Sequence, residues 1–244
     1  SPGKEWTEAK LSGVQTYNEL IYPLSSVMGS AAPVRPVATG LTYVWTFGMN
    51  AGSADVPITY TVESGDSTRA RHFTYGLVQS LSLSWDRSKA ELSGNMIGMR
   101  TTDGTVLAAG TVLAAAIAPV LPQQVQVFLA DSGAGLTGAT ALTRVLKVDW
   151  SLDSRYGPVW VLDSAQASWV THVETEPKME AKVSMETDAA GMALLTNMRA
   201  GSSKFLRIQA IGGAIEPAIG GTAYPHKLIV DMAGKVSGIG DFGD

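Results

Sequence analysis

The residues from Lys178 to Glu186 read KMEAKVSME and decide the fold class, because apolar and polar side chains alternate strictly along them. The apolar positions are Met179, Ala181, Val183 and Met185. Successive side chains of a strand point to opposite faces, so this spacing predicts a β-strand with one core-facing and one polar face. The polar face is then available to water or to a partner.

The same period of two recurs on both sides of this segment. In one such stretch Leu81, Leu83 and Trp85 share a face and serines occupy the other. The predicted strands are Leu41–Phe47, Ile58–Glu63, Phe73–Asp86, Lys89–Ile97, Val125–Ala130, Arg144–Leu152, Lys178–Thr187, Phe205–Ala210 and Lys227–Val236. Such a series predicts a mainly β protein.

Two segments carry helical signals. Val106–Ala118 is rich in alanine and ends before Pro119. Ala189–Ala200 follows Asp188, a candidate N-cap, and precedes Gly201, which stands where a C′ glycine is expected. We therefore predict two helices within the β-rich body.

The order strand, helix, strand, Gly-rich loop, strand occurs twice, at an offset of roughly 80 to 90 residues, which is too long for a solenoid and suits a duplicated domain. It predicts a first unit at 41–152 and a second at 153–244, with strands shared between the units as an open alternative. Chance recurrence of strands and helices is the alternative that the sequence leaves open.

Residues 1–40 have weak periodicity and end in a proline-containing linker, so we interpret them as an N-terminal arm. Large apolar side chains are costly to leave exposed, which favours docking of the arm on a neighbouring copy over disorder. The candidate residues for contact of this arm with a neighbouring copy are Trp6, Tyr17, Leu20, Ile21 and Tyr22.

Charge is sparse in this chain of 244 residues. Only 16% of its residues are charged, against about a quarter in ordinary soluble domains. Because interface cores are poor in charged residues, large contacts with other subunits explain this deficit; a monomer with a Ser, Thr and Gly surface is the alternative. The net charge of -4 argues against binding nucleic acid by phosphate neutralisation.

No motif favours catalysis, a cofactor or a metal. Gly133–Gly138 matches G-x-G-x-x-G, but a strand pattern follows it where a dinucleotide site needs a helix. Glu174 and Glu176 are interpreted as a solvated strand end rather than an acid–base pair. The chain has no cysteine, and its histidines lack ligand-spaced neighbours: His72, His172 and His226. No secretory signal opens the chain, and its longest apolar run is too short to span a bilayer.

Several short runs, taken in their order and spacing, resemble the tail tube (major tail) proteins of long-tailed, non-contractile bacteriophages, most of all those of phages that infect actinobacteria. The runs are Tyr60–Asp66, Phe73–Val78, Glu91–Gly98, Arg155–Leu162 and Arg199–Ile208. The resemblance covers Leu41 to Ser237 and is carried by no single motif.

This resemblance implies a β-sandwich with short flanking helices, in a structural protein of the virion that is assembled in the host cytoplasm. Subunits of such proteins close into rings whose inner strands form one β-barrel, and the rings stack into a tube that conducts DNA without sequence-specific binding. A duplicated unit implies a trimeric ring, and a single unit a hexameric one; the trimer is favoured here. The expected partners are further copies and the tape measure, terminator and distal tail proteins.

On this basis the polar phases of the amphipathic strands are expected to line the lumen, where neutral or acidic groups let DNA pass. The candidate lumen residues are Ser82, Glu91, Glu180, Lys182 and Glu186, and Asp149 and Asp231 are related candidates. A carbohydrate- or receptor-binding β-sandwich module is the alternative function. Exposed aromatic rings would favour it, whereas the tryptophans fall mostly in strand patterns: Trp45, Trp85, Trp150, Trp160 and Trp169.

Overall fold

Antiparallel sheets dominate the computed structural model, which describes residues 3–50, 52–66, 68–104, 117–163, 165–186, 189–216 and 222–238. The predicted mainly β fold is confirmed. The candidate N-cap Asp188 and the predicted helix Val106–Ala118, apart from Ile117 and Ala118, lie outside the described residues. In the part of the chain that is described, no helix is long and apolar enough to cross a bilayer.

The elements follow one another along the chain with two short 3₁₀ helices, at Pro122–Gln124 and Ala134–Thr137. The strands and α-helices are β1 (Thr7–Val14), α1 (Ile21–Val27), β2 (Gly29–Ser30), β3 (Phe47–Gly48), β4 (Tyr60–Gly65), β5 (Ala70–Asp86), β6 (Ala90–Gly98), β7 (Thr102–Asp103), β8 (Val125–Ala130), β9 (Val145–Asp153), β10 (Tyr156–Val159), β11 (Thr171–Glu174), β12 (Lys178–Met185), α2 (Ala189–Ala200), β13 (Ser203–Ala214) and β14 (Pro225–Lys235).

Strand order in the largest sheet is β1–β6–β5–β9–β12, and β4 and β7 also pair with β5. A three-stranded sheet has the order β14–β13–β8, and β10 pairs with β11. The chain folds as two compact units: the first contains residues 1–83, 91–119 and 150–180, and the second contains residues 84–90, 120–149 and 181–244. Both units are discontinuous in sequence, unlike the consecutive ranges predicted above, and the duplication stays a prediction.

The helix α2 spans the predicted residues. Its C-terminus is closed by Gly201, whose φ of 61° is in the left-handed region that favours glycine. The Gly201 N–H donates to the Met198 carbonyl at 3.0 Å, and the Ser202 N–H donates to the Asn197 carbonyl at 3.1 Å. This pair of bonds is a Schellman motif, so the predicted C′ glycine is confirmed.

The first forty residues are not an arm throughout. β1 pairs with β6 over its whole length, from Thr7 opposite Gly98 to Val14 opposite Glu91. Leu20, the N-cap of α1, and Val27, its last residue, are almost inaccessible to solvent. The interpretation of this region as a peripheral arm is therefore wrong for residues 7–28, which complete a sheet and part of the core.

The predicted strand Leu41–Phe47 is also wrong. Within it, Val44 forms an isolated bridge with Val34, and only Phe47 enters a strand, the two-residue β3. Leu41, Tyr43 and Trp45 are all exposed while Thr42 is buried, so the apolar phase of the alternation covers no core. A period of two predicts a strand only where one of its faces is buried.

The core of the first unit contains a cluster of buried Leu77, Ile97, Tyr156 and Trp169. The Trp169 indole N–H donates to the Gly98 carbonyl at 3.0 Å, so the buried ring keeps its hydrogen bond. Gly98 itself allows close packing, because a Cβ at this position would lie 2.1 Å from the Phe73 ring.

Candidate assembly surfaces

A polar face covers one side of the β1–β6–β5 ladder in the first unit. Directly opposite residues of antiparallel strands share a face, and Lys10 lies opposite Asn95. The Asn95 side-chain amide donates to the Ser80 hydroxyl at 3.3 Å, which places β5 on the same side. We call this surface the polar face; by register and phase its accessible residues are Glu8, Lys10, Ser12, Val14, Ser80, Ser82, Glu91, Ser93 and Asn95.

The polar face has little net charge. Lys10 is its one cation, Glu8 and Glu91 are its two carboxylates, and hydroxyl and amide groups make up most of the rest. The lumen candidates Ser82 and Glu91 both belong to it. Such a surface is wetted by water but gives a phosphate backbone no cluster of cations to bind.

The other three lumen candidates, Glu180, Lys182 and Glu186, are exposed, and the two glutamates form ion pairs. Glu180 lies 2.8 Å from Lys178, and this hydrogen bond raises the pKa of Lys178. In the second unit Glu186 lies 2.8 Å from Arg144, and Lys182 is exposed on β12. None of the five candidates is buried. A side chain that lines a lumen must be accessible to solvent, and all five meet this condition.

The two related candidates are neutralised within the second unit. Asp149 accepts a hydrogen bond from Ser84 at 2.5 Å and lies 2.8 Å from the Lys147 ammonium. Asp231 receives two hydrogen bonds of 2.8 Å from the Arg207 guanidinium, which raises the pKa of Arg207. The carboxylates of Asp149 and Asp231 therefore add little net charge to the surface of the second unit.

An apolar surface is concentrated in residues 36–54, which contain no Asp, Glu, Lys, Arg or His and which we call the charge-free segment. Its exposed large side chains are Leu41, Tyr43, Val44, Trp45 and Met49. Trp45 is 36% exposed, so its assignment to the core is wrong. Soluble monomers rarely expose so many large apolar groups on one stretch, which indicates a contact surface.

Directly after this segment, an ion-pair cluster is buried in the first unit. The Arg155 guanidinium lies 2.5 Å from the Asp55 carboxylate, and both side chains are at most 3% exposed. Arg155 also donates to the Val27 carbonyl at 3.0 Å. The second Asp55 oxygen accepts two hydrogen bonds from Asn50, and the Asp55 N–H donates to Glu174 at 2.5 Å. We call Asn50, Asp55, Arg155 and Glu174 the anchor cluster.

Sequence reasoning missed the anchor cluster. It treated Glu174 as solvated, together with Glu176; Glu176 is exposed, but the Glu174 carboxylate is only 30% exposed and lies 3.7 Å from Arg155. Asp55 lies in a loop of Gly, Asn and Ser, where an aspartate is ordinarily solvated. Because Asp55 and Arg155 are far apart in sequence, their pairing leaves no local sequence pattern from which it could have been predicted.

The five N-terminal contact candidates separate by burial. Leu20 is buried in its own subunit and cannot reach a neighbour, whereas Tyr17 and Ile21 are partly buried. Tyr22 is exposed, with its ring packed edge-on against Tyr60 at 6.2 Å. Trp6 is half exposed.

Trp6 belongs to an aromatic pair with Trp160. Their ring centroids are 5.9 Å apart and nearly perpendicular, and the Lys4 ammonium lies 5.0 Å from the centre of the Trp160 ring. The Trp6 indole N–H donates to Glu8 at 2.9 Å. This arrangement presents an accessible ring beside charged groups.

The remaining motifs lack a site geometry. Gly133–Gly138 contains the short 3₁₀ helix, and no α-helix begins at Gly138. The strands before and after this loop, β8 and β9, belong to different sheets. His72 pairs with the Gly104 carbonyl at 2.9 Å, and His172 with the Tyr75 hydroxyl at 3.2 Å. Across the residues that the structure describes, no group of three or more His, Asp or Glu could hold a metal ion.

No protein-family model matches the sequence, and no curated protein matches it. The functional argument therefore depends on the residues and surfaces described above.

Proposed function

We propose that this protein is the structural subunit of a bacteriophage tail tube, which self-assembles into stacked rings whose lumen conducts the DNA genome. The observation that carries the proposal is the charge-free segment, with five large apolar side chains exposed to solvent. Burying such side chains contributes about 1.5–3 kcal/mol each when burial is complete. Contacts between copies are the simplest way to remove them from water.

The polar face supports the second half of the proposal. A lumen that conducts DNA needs a wettable surface without a cluster of cations, since each neutralised phosphate adds affinity. The polar face meets this requirement with one lysine and two glutamates among hydroxyl and amide groups. A trimeric ring is favoured if the unit is duplicated, and a hexameric ring otherwise.

Negative-stain electron microscopy of the purified protein tests the proposal, with sedimentation to quantify assembly. We expect rings or tubes with a central hole. Leu41→Asp places a charge in the charge-free segment and should abolish them, whereas Leu162→Asp, at another fully exposed leucine, should not. A discrete monomer at every concentration would refute self-assembly.

The aromatic pair supports a second candidate function, that of a carbohydrate-binding module. Sugars stack on exposed rings and form hydrogen bonds with carboxylates, and Trp6 and Glu8 supply both groups. Titration of the tryptophan fluorescence with chitotetraose and mannotetraose tests it. Quenching that Trp6→Ala abolishes, in a protein that stays monomeric, would favour this candidate over the tube.

A further inference from the structure

Residues 36–48 of the charge-free segment form the turn and the second half of a hairpin that spans residues 29–48. Val34 and Val44 exchange backbone hydrogen bonds of 3.0 and 2.9 Å, and the Ala31 N–H donates to the Thr46 carbonyl at 3.0 Å. β2 and β3 pair at its base, with Gly29 opposite Gly48. These bonds fix the hairpin's own shape but not its placement on the subunit.

Placement comes from the anchor cluster, which follows the hairpin directly. Asp55 is held by Arg155 and, through its N–H, by Glu174 at the end of β11. Arg155 is itself fixed by the Val27 carbonyl at the end of α1. Three chain segments that are far apart in sequence therefore meet beside Gly29, at the base of the hairpin.

The packing around Asp55 leaves no room for adjustment. A Cβ on Gly29 would lie 2.7 Å from an Asp55 carboxylate oxygen, so only glycine fits beside it without a shift. The other carboxylate oxygen is bound by Arg155. Asp55 is thereby confined by charge on one side and by backbone on the other.

We infer that the anchor cluster is a positioning device for self-assembly: it holds the charge-free segment in the orientation in which it packs on a second copy. The inference rests on the proposed function. A buried ion pair is seldom more stabilising than apolar residues of the same size, but it is directional, and it is costly to break. A segment that is already ordered loses less conformational entropy when it binds.

Three substitutions release the anchor in different ways. Asp55→Asn removes the charge and keeps the shape, Glu174→Gln removes the charge next to the Asp55 N–H, and Gly29→Ala pushes against Asp55 without changing any charge. Glu176→Gln is the matched control, because Glu176 is exposed and belongs to the same stretch.

Limited proteolysis with chymotrypsin reports on the hairpin, since the enzyme cuts after Tyr43, Trp45 and Phe47. In the full-length protein at a concentration below assembly, we expect at least tenfold faster cleavage at these bonds in Asp55→Asn and Gly29→Ala. We expect a smaller increase in Glu174→Gln and none in Glu176→Gln. Circular dichroism at the same temperature checks that each variant is folded, and a variant that does not fold is replaced by the next in the series.

Sedimentation then gives the concentration at which half of each variant is assembled. The expected result is a shift of at least tenfold for every variant whose hairpin is cleaved faster. Cleavage at the wild-type rate in all three variants would overturn the inference, as would faster cleavage without any change in assembly. If the wild type does not assemble, the proposed function fails, but the cleavage rates still decide whether the cluster fixes the hairpin.

Discussion

Replacing Arg155 by methionine tests the energetic role of the anchor cluster most directly. The substitution keeps most of the aliphatic volume and removes the guanidinium, which leaves the Asp55 carboxylate buried without its cation. Removing one partner of a buried pair typically costs about 3–5 kcal/mol, because the remaining charge stays uncompensated. The bonds from Asn50 to Asp55 persist and place the expected loss at the lower end of this range.

The assay is urea unfolding of the monomer, followed by tryptophan fluorescence. Arg71→Met is the matched control: Arg71 pairs with Asp103 at 3.1 Å, but both side chains are more than half exposed. Removing that pair should change the free energy of unfolding by no more than about 0.5–1 kcal/mol. The double variant Asp55→Leu/Arg155→Met should lose less than the sum of its single variants, by about 1–3 kcal/mol. A loss below about 1 kcal/mol in Arg155→Met, or strict additivity in the double variant, would refute the argument.

Three further predictions concern single positions. Gly98→Ala should reduce the free energy of unfolding by about 1–3 kcal/mol because its Cβ meets the Phe73 ring, and Phe73→Leu should recover part of the loss in the same urea assay. Gly201→Ala should cost about 1–2 kcal/mol through its positive φ; Gly213→Ala, in open space, is the control, and equal losses at both positions would contradict this account. Backbone hydrogen bonds from Arg69 and Thr68 lower the pKa of Asp66 below its ordinary 3.8. The contribution of Asp66 to stability is therefore complete above pH 3.8, and it is lost as the pH falls through the lower pKa of the folded state. The difference in melting temperature between wild type and Asp66→Asn should therefore be present at neutral pH and shrink in acid; a difference that grows in acid would contradict the sign.

The long strands could be predicted because their two faces differ in environment. In β5, Leu81 and Leu83 are buried while Ser82 is half-buried, so the alternation in the sequence reproduces the alternation in burial. The boundaries of β8 agree with the predicted Val125–Ala130 for the same reason, with Val127 buried on its inner side. In these segments the local propensity of the residues and their packing in the folded chain both favour a β-strand.

The failures share the opposite cause. In the predicted strand Leu41–Phe47 the apolar side chains alternate along the sequence, but they face solvent. β1 is an edge strand with an exposed outer face, and its alternation of apolar and polar residues is too weak to be recognised. The anchor cluster joins Asp55 to Arg155 across 100 positions, and only the folded chain brings the two together. Long-range pairing of this kind has no periodicity, so a single sequence cannot reveal it.

An ordinary monomer exposes its charged side chains and buries its large apolar ones, whereas the anchor cluster and the hairpin do the reverse. A carboxylate and a guanidinium are withdrawn from water, while Leu41, Tyr43 and Val44 are left in it. Each choice alone is unfavourable for an isolated chain, because charges are costly to bury and large apolar groups are costly to expose. Together they become favourable if a second copy covers the apolar hairpin, since the buried pair then fixes the surface that the partner recognises. The same reasoning predicts that an anchored hairpin without a partner would be selected against, and this links the stability of the cluster to the assembly of the protein.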